Sequence, residues 1–309
     1  MLETSVIVSM YNGHKYILRQ LESLMKQKKL PSEVLIFDDC STDNSVQIVN
    51  EFIKNNHLEN WHLYVNEHNK GWRVNFIDGI KKARGKFIFT CDQDDIWDKN
   101  KIEIQYNIIN KDKSISVLAS DYYTFNGEFS FPDTINYSKR VTKETWSNKF
   151  INVKRPGCTY CFSKNFFESI LPYWKPYYEH DAFIWRMALI NNCLAVSNDK
   201  LIAWRVYKNS TLSRERLKRS LSKRKHEIFI EQEMLDGMVS YSSKNSLSYE
   251  QKFSIDNYKM LLSKRKKFLE TRTIRSFILL LCDFKFYSYK KQFIRDILTV
   301  IENRRENRK

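Results

Sequence analysis

Three carboxylates stand within four residues in Asp92-Gln93-Asp94-Asp95, directly after an apolar run. Like charges at this spacing repel one another unless solvent or a cation screens them. Hard oxygen ligands with open coordination positions suit Mg²⁺ or Mn²⁺, which bridge diphosphates. The alternative is a solvated acidic turn that caps a helix beginning near Trp97. We favour a divalent-metal site, because a second acidic pair, Asp38-Asp39, follows another predicted strand.

The polar turn at 38–45 has two interpretations. Ser41 to Ser45 suffice to cap the helix that we predict from residue 46. The acids Asp38 and Asp39 exceed what capping requires. A carboxylate at this position can accept hydrogen bonds from the N–H of a base or from ribose hydroxyls.

Glu179-His180-Asp181 is the third candidate, because it precedes an expected amphipathic helix over 182–190. The helix dipole stabilises acids at a helix start, and this explains either carboxylate without any chemistry. Alternatively, one of them is a general base that removes the proton of a hydroxyl nucleophile.

Alternating strands and helices must position these groups. The sequence predicts strands at 5–10, 33–37, 61–65 and 86–90, with helices at 15–27, 46–53 and 71–83 between them. Gly79 would let the third helix pack closely against its neighbour. We therefore expect an α/β fold, with a mostly parallel central sheet flanked by helices. Ligands bind at the carboxyl ends of such strands, where the polar clusters 9–12, 38–39 and 92–95 stand.

Residues 111–210 are less regular, with short strands expected at 115–119, 158–162 and 201–204. From about residue 212 the pattern is helical and basic to the end. Arg214 to Lys309 contain 24 Lys and Arg against 12 Asp and Glu, so +12 of the net charge of +16 lies there. Apolar residues recur near helical spacing within this region, namely Ile274, Phe277, Ile278, Leu281, Phe284, Phe293, Ile297, Val300 and Ile301.

The basic C-terminal region has two interpretations. Its helices pack on a core and expose a solvated charged face, or they rest on anionic lipid. We favour the lipid surface. Nucleic acid would explain the same charge, but no RNA- or DNA-binding motif accompanies it, so we expect no nucleic-acid partner.

The cysteines and the apolar runs indicate the compartment. No secretory signal precedes the six cysteines, which favours reduced thiols in the cytoplasm. Cys158 and Cys161 form a Cys-x-x-Cys without a second pair, so we expect no metal there. The longest apolar run, 277–282, is too short to cross a bilayer. We expect a cytoplasmic protein, peripheral on the inner face of the cell membrane.

Several ordered motifs carry a resemblance to a known family. Ser-Val-Ile-Val-Ser-Met-Tyr-Asn at 5–12, Asp-Asp-x-Ser-x-Asp-x-Ser at 38–45, Asn-x-Gly at 69–71 and the segment 85–97 resemble family-2 glycosyltransferases with the GT-A fold. The resemblance covers about the first 100 residues. Asp-Gln-Asp-Asp-Ile-Trp at 92–97 is similar to the bacterial rhamnosyltransferase-like branch.

The resemblance implies a metal-dependent, inverting enzyme. It would move a sugar from dTDP-rhamnose or a UDP-hexose to a glycan or lipid-linked glycan during synthesis of a bacterial surface polysaccharide such as a capsule. The implied cofactor is Mn²⁺ or Mg²⁺.

The resemblance also implies roles for single residues. It assigns the nucleotide to Ser9, Tyr11, Asp39 and Asp92, and the metal to Asp94 and Asp95. It makes Asp181 the general base, with Glu179 as the alternative. Contacts with acceptor or diphosphate are expected from His180, Arg73, Trp97 and Arg205.

One motif departs from the family pattern. Related sequences often carry a histidine two residues after the arginine of a Tyr/Trp-Arg pair, and that histidine can join the metal site. This chain has Trp204-Arg205-Val206-Tyr207. Tyrosine is a poor metal ligand near neutral pH because its pKa is about 10. We therefore expect the metal to rely on Asp94, phosphate oxygens and water.

We expect three regions: a nucleotide-sugar-binding half at 1–110, an acceptor-binding half at 111–212 and a basic helical region at 213–309. A nucleotidyltransferase is the first alternative function. Such an enzyme would ordinarily need a Gly-rich basic loop after the first strand, where this chain has Tyr-Asn-Gly-His-Lys. A catalytically inactive membrane-binding scaffold is the second. The acids at 39, 92, 94 and 181 argue against it.

Overall fold

The computed structural model describes residues 2–207, 220–242 and 247–306. Two compact units are present. The first consists of Met1–Glu144 and Lys154–Tyr207, and the second of Thr145–Val153 with the described residues after Tyr207. The predicted boundary at 212 lies outside the described residues. The division of roles at residue 110 stays a prediction, since it concerns function.

A nine-stranded sheet forms the centre of the first unit. Its strands are β1 Thr4–Met10, β2 Glu33–Asp38, β3 Trp61–Val65, β4 Phe87–Asp92, β5 Ile96–Trp97, β6 Val117–Phe125, β7 Val141–Lys143, β8 Tyr160–Ser163 and β9 Leu194–Arg205. Their order is β3-β2-β1-β4-β8-β6-β9-β5, with β7 on β9. Strands β3, β2, β1 and β4 are mutually parallel, and β8 runs antiparallel between β4 and β6. The expected mostly parallel sheet flanked by helices is confirmed.

Six helices are described in the first unit: α1 Ile17–Met25, α2 Ser45–Asn55, α3 Trp72–Lys82, α4 Lys101–Lys111, α5 Lys164–Ile170 and α6 His180–Ile190. Helix α3 packs on β1 so closely that a Cβ on Gly79 would lie 2.5 Å from Cγ2 of Ile7. This confirms the predicted role of Gly79. The core strand β1 is buried along its whole length except at Ser9, as its β-branched sequence requires.

Three predictions about elements were wrong in detail. No helix begins near Trp97, because Ile96–Trp97 pairs antiparallel with β9, and α4 begins at Lys101. The strands expected at 115–119 and 201–204 are the longer β6 and β9, which pair with each other in parallel. Helix α6 is not amphipathic, since nine of its eleven residues are buried.

The second unit is helical in its described part, as predicted. Its helices are α7 Leu221–Ser242, α8 Tyr249–Thr271, α9 Ile274–Cys282 and α10 Lys290–Glu306. Phe150, from the short segment Thr145–Val153, packs edge-on against Tyr258 of α8. None of the described helices combines the length and apolar character that crossing a bilayer requires.

A buried ionic network joins three helices of this unit. The Arg265 guanidinium on α8 donates to both carboxylate oxygens of Asp296 on α10, at 2.8 and 3.3 Å, and to Glu231 on α7 at 3.1 Å. Tyr258 donates to Glu231, and Tyr287 donates to Asp296, each at 3.0 Å. Every charge in the network therefore has an opposite charge and a hydrogen-bonded neighbour.

Candidate active site

Strand register brings the predicted polar clusters to one edge of the sheet. Ser9 on β1 lies opposite Asp92 on β4, and Met10 lies opposite Asp38 on β2. In parallel pairs, this register places all three carboxyl ends side by side. The edge that the sequence predicted to hold the site is therefore formed.

Two loops at this edge are tied together by side chains. Asn12 adopts a positive φ of 49°, and its side chain accepts from the Thr42 N–H at 2.8 Å. Its own N–H donates to Ser41 Oγ, and the Gly13 N–H donates to Ser45 Oγ, both at 2.8 Å. Within residues 41–45, Asp43 Oδ1 accepts from the Ser45 N–H at 3.0 Å at the start of α2, as the capping interpretation expects. The helix N-cap, Asn44, makes no side-chain cap bond, and Ser41 and Ser45 also hold the opposite loop.

Asp39 holds a third loop. Its buried carboxylate accepts from the backbone N–H groups of Lys70 and Gly71, both at 2.8 Å, and from Asn66 Nδ2 at 3.0 Å. Asn66 also donates to Asn75 Oδ1 at 2.9 Å. Asp39 thus fixes the loop at 66–71, and its contact with a nucleoside stays a prediction.

Ser9 and Tyr11 lie on the same edge. The Ser9 hydroxyl accepts from Asn75 Nδ2 at 2.8 Å, and the Tyr11 side chain is exposed. The Gln93 amide accepts from the Tyr11 N–H at 2.9 Å and donates to the Tyr11 carbonyl at 3.0 Å. A Cβ on Gly13 would lie 2.3 Å from Gln93 Oε1, so only glycine allows this clamp between the ends of β1 and β4.

Buried acids crowd the end of β4. A carboxylate oxygen from each of Asp92 and Asp95 and the sulfur of Cys158 lie within 4.8 Å of one another, close enough to share a cation. Asp95 is 1% exposed; its Oδ1 accepts from the Arg205 N–H at 2.9 Å, and its Oδ2 has no hydrogen-bond partner among the described residues. Burial raises the pKa of Asp95 well above its ordinary range, and the charges of Asp94 and Asp92 add to this.

Asp92 also has a raised pKa. Burial, then the charges of Asp94 and Asp181, raise its pKa to about 7. The charge of Asp181 contributes to this shift, so Asp181 lies in the same region although it belongs to α6. Like charges that share a buried region repel one another, and a cation would offset that repulsion.

Asp94 lies outside the group of three potential ligands. Burial raises its pKa, while the nearby Tyr207 hydroxyl and the Arg205 guanidinium lower it. Arg205 Nε donates to the Asp94 carbonyl at 2.8 Å, and Nη1 donates to the Gly127 carbonyl at 2.9 Å. Arg205 thus fixes the backbone of this loop, and its contact with diphosphate stays a prediction.

A buried lysine lies beneath the acids. Lys101 donates to Gln105 Oε1 at 2.7 Å, and its ammonium lies 4.6 Å from the centre of the Trp97 ring. Burial lowers its pKa to about 8 against the opposing influence of nearby thiols and Asp95. Trp97 is 2% exposed and belongs to the core. The expectation that Trp97 contacts acceptor or diphosphate is therefore corrected.

Asp181 sits in the first turn of α6, with Glu179 as the N-cap residue. Its carboxylate accepts from the Ala182 N–H at 2.7 Å and from the Gly157 N–H. A Cβ on Gly157 would lie 2.8 Å from the Asp181 Cβ, and the Gly157 carbonyl accepts from Thr90 Oγ1 of β4 at 2.7 Å. Burial still raises the pKa of Asp181. A carboxylate held this way is fixed in position and ready to accept a proton.

The neighbours of Asp181 have different surroundings. Glu179 forms an ion pair with Arg73 at 3.8 Å, and the Arg73 guanidinium lies 4.4 Å from the centre of the Trp72 ring. His180 is buried and stacks on Phe76 with ring centroids 4.1 Å apart. Burial lowers its pKa to about 3, so the imidazole is neutral near neutral pH. Contacts of His180 and Arg73 with acceptor or diphosphate stay predictions.

A groove of the described surface lies elsewhere. It has a volume of about 1040 Å³, runs along α4 and is lined by lysines such as Lys28, Lys111 and Lys139. None of the candidate site residues lines it. The chemistry of its residues identifies the β4 edge as the candidate site.

A family model decides the classification. The model of glycosyl transferase family 2 matches residues 5–171, which include the whole β1–β4 edge and Gly157. The chain belongs to glycosyl transferase family 2. This is a family of transferases, and the resemblance found in the motifs is confirmed.

Two bacterial relatives have named activities. The chain is 34% identical over 140 residues, 44% of its length, to the UDP-Glc:alpha-D-GlcNAc-diphosphoundecaprenol beta-1,3-glucosyltransferase WfgD of Escherichia coli. It is 32% identical over 160 residues, 50% of its length, to the dTDP-rhamnosyl transferase RfbG of Shigella flexneri. Each alignment covers 53% of the relative, so the chain spans about half the length of the relatives it matches.

Two solved structures share the fold. Staphylococcus aureus TarS 1-349 in complex with UDP-GlcNAc has a TM-score of 0.64 at 20% identity, with 99% of this chain and 92% of that chain covered. The mannosyltransferase PcManGT of Pyrobaculum calidifontis, in complex with GDP-Man and Mn²⁺, has a TM-score of 0.55 at 12% identity, with 98% and 87% covered. The expected GT-A fold with C-terminal helices is confirmed.

Sequence reasoning missed four residues that build this site. Gly157 and Cys158 come from the turn that precedes β8, Lys101 comes from α4, and Asn75 comes from α3. The Cys-x-x-Cys motif was noticed, but nothing in its spacing connects it with acids more than sixty residues earlier. Gly157 carries no sequence signal of its own, because its role appears only where the chain folds back onto Asp181.

Proposed function

We propose that this protein is a metal-dependent, inverting glycosyltransferase. It moves a sugar from a nucleotide diphosphate sugar to a hydroxyl of a glycan or lipid-linked glycan during synthesis of a bacterial surface polysaccharide. One observation carries the proposal: the Asp181 carboxylate is held by the N–H groups of Ala182 and Gly157, and Gly157 adjoins Cys158, whose sulfur lies within 4.8 Å of carboxylate oxygens of Asp92 and Asp95.

The nucleotide is proposed to bind at Ser9, Tyr11, Asp39 and Asp92. The register of β1 with β4 supports this, because it sets Ser9 beside Asp92 at the open edge of the sheet. The exposed ring of Tyr11 offers a face on which a base can stack. Asp39 keeps the loop at 66–71 in place beside it.

The residues present fit a divalent cation. The Oδ2 atom of Asp95 is buried without a partner, and Asp92 and Cys158 offer further ligand atoms within 4.8 Å. Asp94 and Asp95 are the proposed protein ligands, with Asp92 and Cys158 beside them. Carboxylate oxygens suit Mg²⁺ and Mn²⁺, and a sulfur neighbour suits Mn²⁺ better than Mg²⁺. A bound divalent cation supplies positive charge that stabilises a departing diphosphate.

Asp181 is the proposed general base. It accepts the proton of the acceptor hydroxyl while that oxygen bonds to the anomeric carbon, and the bond from this carbon to the diphosphate oxygen breaks. A single displacement inverts the anomeric centre. The raised pKa supports this role, because a base with higher proton affinity takes the proton more readily. Glu179 is the weaker candidate, because it already pairs with Arg73.

Donor and acceptor classes are proposed from the relatives. WfgD is named for UDP-Glc and a diphosphoundecaprenol-linked acceptor, and RfbG for dTDP-rhamnose. We therefore propose dTDP-rhamnose or a UDP-hexose as donor. Because a lipid-linked acceptor lies at a membrane, we propose that the protein works in the cytoplasm as a peripheral protein on the inner face of the cell membrane, with its C-terminal excess of +12 directed toward anionic lipid.

Paired variants of the acids around α6 test the mechanism. Asp181→Asn keeps the shape of the side chain but removes the base, so turnover should fall by roughly 10²-fold or more while the donor Kd stays nearly constant. Glu179→Gln is the matched control and should be milder. The measurement is kcat with a lipid-linked acceptor, beside the donor Kd from calorimetry.

Two results would contradict this assignment. Normal turnover in Asp181→Asn with loss in Glu179→Gln would exchange the two roles. Absence of sugar-nucleotide turnover in the unmodified protein, across donors and both metals, would favour a catalytically inactive scaffold.

A further inference from the structure

Helix α9 turns its apolar side chains toward solvent. Its buried residues are Ser276 and Leu280, while Ile274, Ile278 and Leu281 are 79%, 53% and 49% exposed. These three residues follow the spacing i, i+4 and i+7 and therefore share one face of the helix. An ordinary surface helix keeps its apolar stripe toward the core. Helix α9 does this with Leu280 and with Phe277, which packs on Phe268 and Phe293, and it exposes a second apolar face as well.

Local hydrogen bonds fix this orientation. Helix α8 ends at Arg272 in the left-handed conformation, with a φ of 55°. Thr273 and Ser276 then form a reciprocal capping box, and the Ser276 hydroxyl also contacts the Thr271 hydroxyl at 3.0 Å. The polar Ser276 is held inward by these bonds. The outward direction of Ile274, Ile278 and Leu281 follows from the geometry of the helix.

Cationic side chains flank the exposed apolar face along the chain. Arg275 lies on α9, Lys285 follows it, and Lys290 and Lys291 begin α10, all four exposed. The acid between them, Asp283, is buried and pairs with Lys264 at 2.6 Å. The exposed surface here is therefore apolar and positive.

Helix α10 also exposes apolar side chains and carries lysines. Ile294 and Ile301, one heptad apart, are 53% and 42% exposed on a helix that begins with two lysines. An exposed apolar stripe with cations around it matches an interfacial helix, which buries its apolar face at the headgroup boundary while its cations meet anionic lipid.

We infer that α9 inserts its Ile274–Ile278–Leu281 face into the interfacial region of an anionic lipid surface. The helix of nine residues is about 13 Å long, so it lies along the surface and does not cross it. A second copy of the chain is the less favourable occupant. A two-fold contact through this face would bring equal clusters of Arg275 and the lysines together.

This inference rests on the proposed contact of the basic region with anionic membrane, and it deepens that contact by naming the element that enters the lipid. The catalytic proposal is independent of it. Charge alone predicts binding that high salt abolishes, whereas an inserted apolar face predicts binding that salt weakens but does not remove.

The first experiment is co-sedimentation of the full chain with vesicles of phosphatidylglycerol and phosphatidylcholine. The double variant Ile278→Asp/Leu281→Asp should partition at least roughly tenfold less than the unmodified protein, because both side chains would carry charge into the interface. The matched control is Phe253→Asp, which changes a side chain that is 50% exposed near the other end of the 23-residue α8. The control should change partitioning by less than about twofold.

The second experiment measures insertion directly. Cys282 is exposed at the end of α9 and accepts an environment-sensitive thiol label once Cys40→Ser and Cys193→Ser remove the other partly accessible thiols. Brominated acyl chains should quench the label on bound protein. Binding without quenching would overturn insertion.

The remaining outcomes separate the proposals. If the double variant binds vesicles like the unmodified protein, the inference fails, and the charge-driven contact stands. If sedimentation velocity shows a dimer that the double variant dissociates, the face belongs to a second copy, and the inference is overturned. Transfer to a water-soluble acceptor should be unchanged in the double variant, so failure of the catalytic proposal is seen independently.

Discussion

Two clusters of charged residues in this protein differ in whether opposite charges balance one another. At the end of β4, Asp92, Asp94 and Asp95 lie close together; burial raises the pKa of each, and the charges of neighbouring carboxylates add to this for Asp92 and Asp95. In the helical unit, Arg265 sits between Asp296 and Glu231, and its hydrogen bonds reach both. The group of Arg265, Asp296 and Glu231, called the paired cluster here, holds three helices together. The group of Asp92, Asp94 and Asp95, called the unpaired cluster, costs stability in the isolated chain, and such a cost is typical of a site that is completed by a ligand.

The comparison also shows that a candidate functional site is recognised by whether its charged groups have partners, and not by their burial alone. Both clusters contain carboxylates that are nearly inaccessible to water, among them Asp95 and Asp296. Among the described residues of these two clusters, only Asp95 has a buried carboxylate oxygen, Oδ2, that lacks a hydrogen-bond partner. That one atom distinguishes a candidate cation site from a structural ion pair.

The largest expected effect is loss of transfer when a charge is removed from the unpaired cluster. Asp94→Asn should lower transfer by roughly 10³-fold or more, because the charge that holds a cation on the diphosphate is lost. Nucleotide binding should also become insensitive to Mn²⁺ and Mg²⁺. Calorimetry of UDP and dTDP binding, with metal and with chelator, is the measurement. An unchanged metal dependence would contradict the assignment.

Asp95→Asn supplies the matched comparison within the same cluster. The amide keeps the Oδ1 atom that accepts from Arg205, and it removes a charge that Asp92 and Asp94 repel. We expect the free energy of unfolding to rise by about 1 kcal/mol in metal-free buffer while metal binding weakens. Urea unfolding with and without Mn²⁺ measures both. A decrease in stability without metal would show that the cluster is not self-repelling.

The next effect concerns the paired cluster. Arg265→Met should lower the free energy of unfolding by about 3–5 kcal/mol, because it leaves Asp296 and Glu231 buried without their cation. Adding Asp296→Leu should recover part of this loss. Thermal and urea unfolding test the prediction, and donor binding at low temperature is the control, since it should not change. A loss below about 1 kcal/mol would mean that this network is no more than a surface pair.

A smaller effect is expected where the proposed base is supported. Gly157→Ala places a Cβ against Asp181 and should lower kcat by roughly 10- to 100-fold with little change in donor Kd. Thr90→Val removes the hydroxyl that holds the Gly157 carbonyl and should lower kcat by roughly tenfold. Thr90→Ser keeps that hydroxyl and is the control. Equal kcat in the valine and serine variants would show that this hydrogen bond does not position the base.

The last effect is a pH dependence of stability. His180 has a pKa lowered to about 3 in the fold, so between about pH 6.5 and pH 3 only the unfolded chain binds the proton. The free energy of unfolding should therefore fall by about 1.4 kcal/mol per unit as the pH decreases below 6. His180→Phe, which keeps the stacking on Phe76, should remove this component. Urea unfolding of both proteins across this pH range is the test, and parallel slopes would contradict it.

Much of the fold of residues 1–110 could be predicted from local patterns. The first four strands and the helices between them lie within a few residues of their predicted positions, because β-branched runs and helical spacing determine them locally. The meeting of Ser9 with Asp92 also followed, since parallel strands end at one edge. The GT-A fold was implied by the resemblance, not by these patterns alone.

What could not be predicted depends on distant segments. Trp97 was placed at a helix start because its partner strand, β9, lies more than a hundred residues later. Cys158 and Gly157 reach the site only because β8 inserts between β4 and β6. The side of α9 that faces solvent could not be predicted for another reason. Its apolar spacing is that of an ordinary amphipathic helix, and spacing does not tell which face meets solvent.

The late position of β9 has a consequence for synthesis on the ribosome. Asp95 Oδ1 receives its hydrogen bond from the Arg205 N–H, 110 residues further along the chain. At the usual elongation rate of about 5–20 residues per second, the acidic loop waits on the order of ten seconds for this partner. Until β8 is made, the β4 edge of the four parallel strands has no neighbour, and β5 has no partner strand until β9 arrives. The nascent chain thus completes this sheet in two steps: β8 covers the edge of β4, and β9 later pairs with β5 and brings the hydrogen bond to the acidic loop.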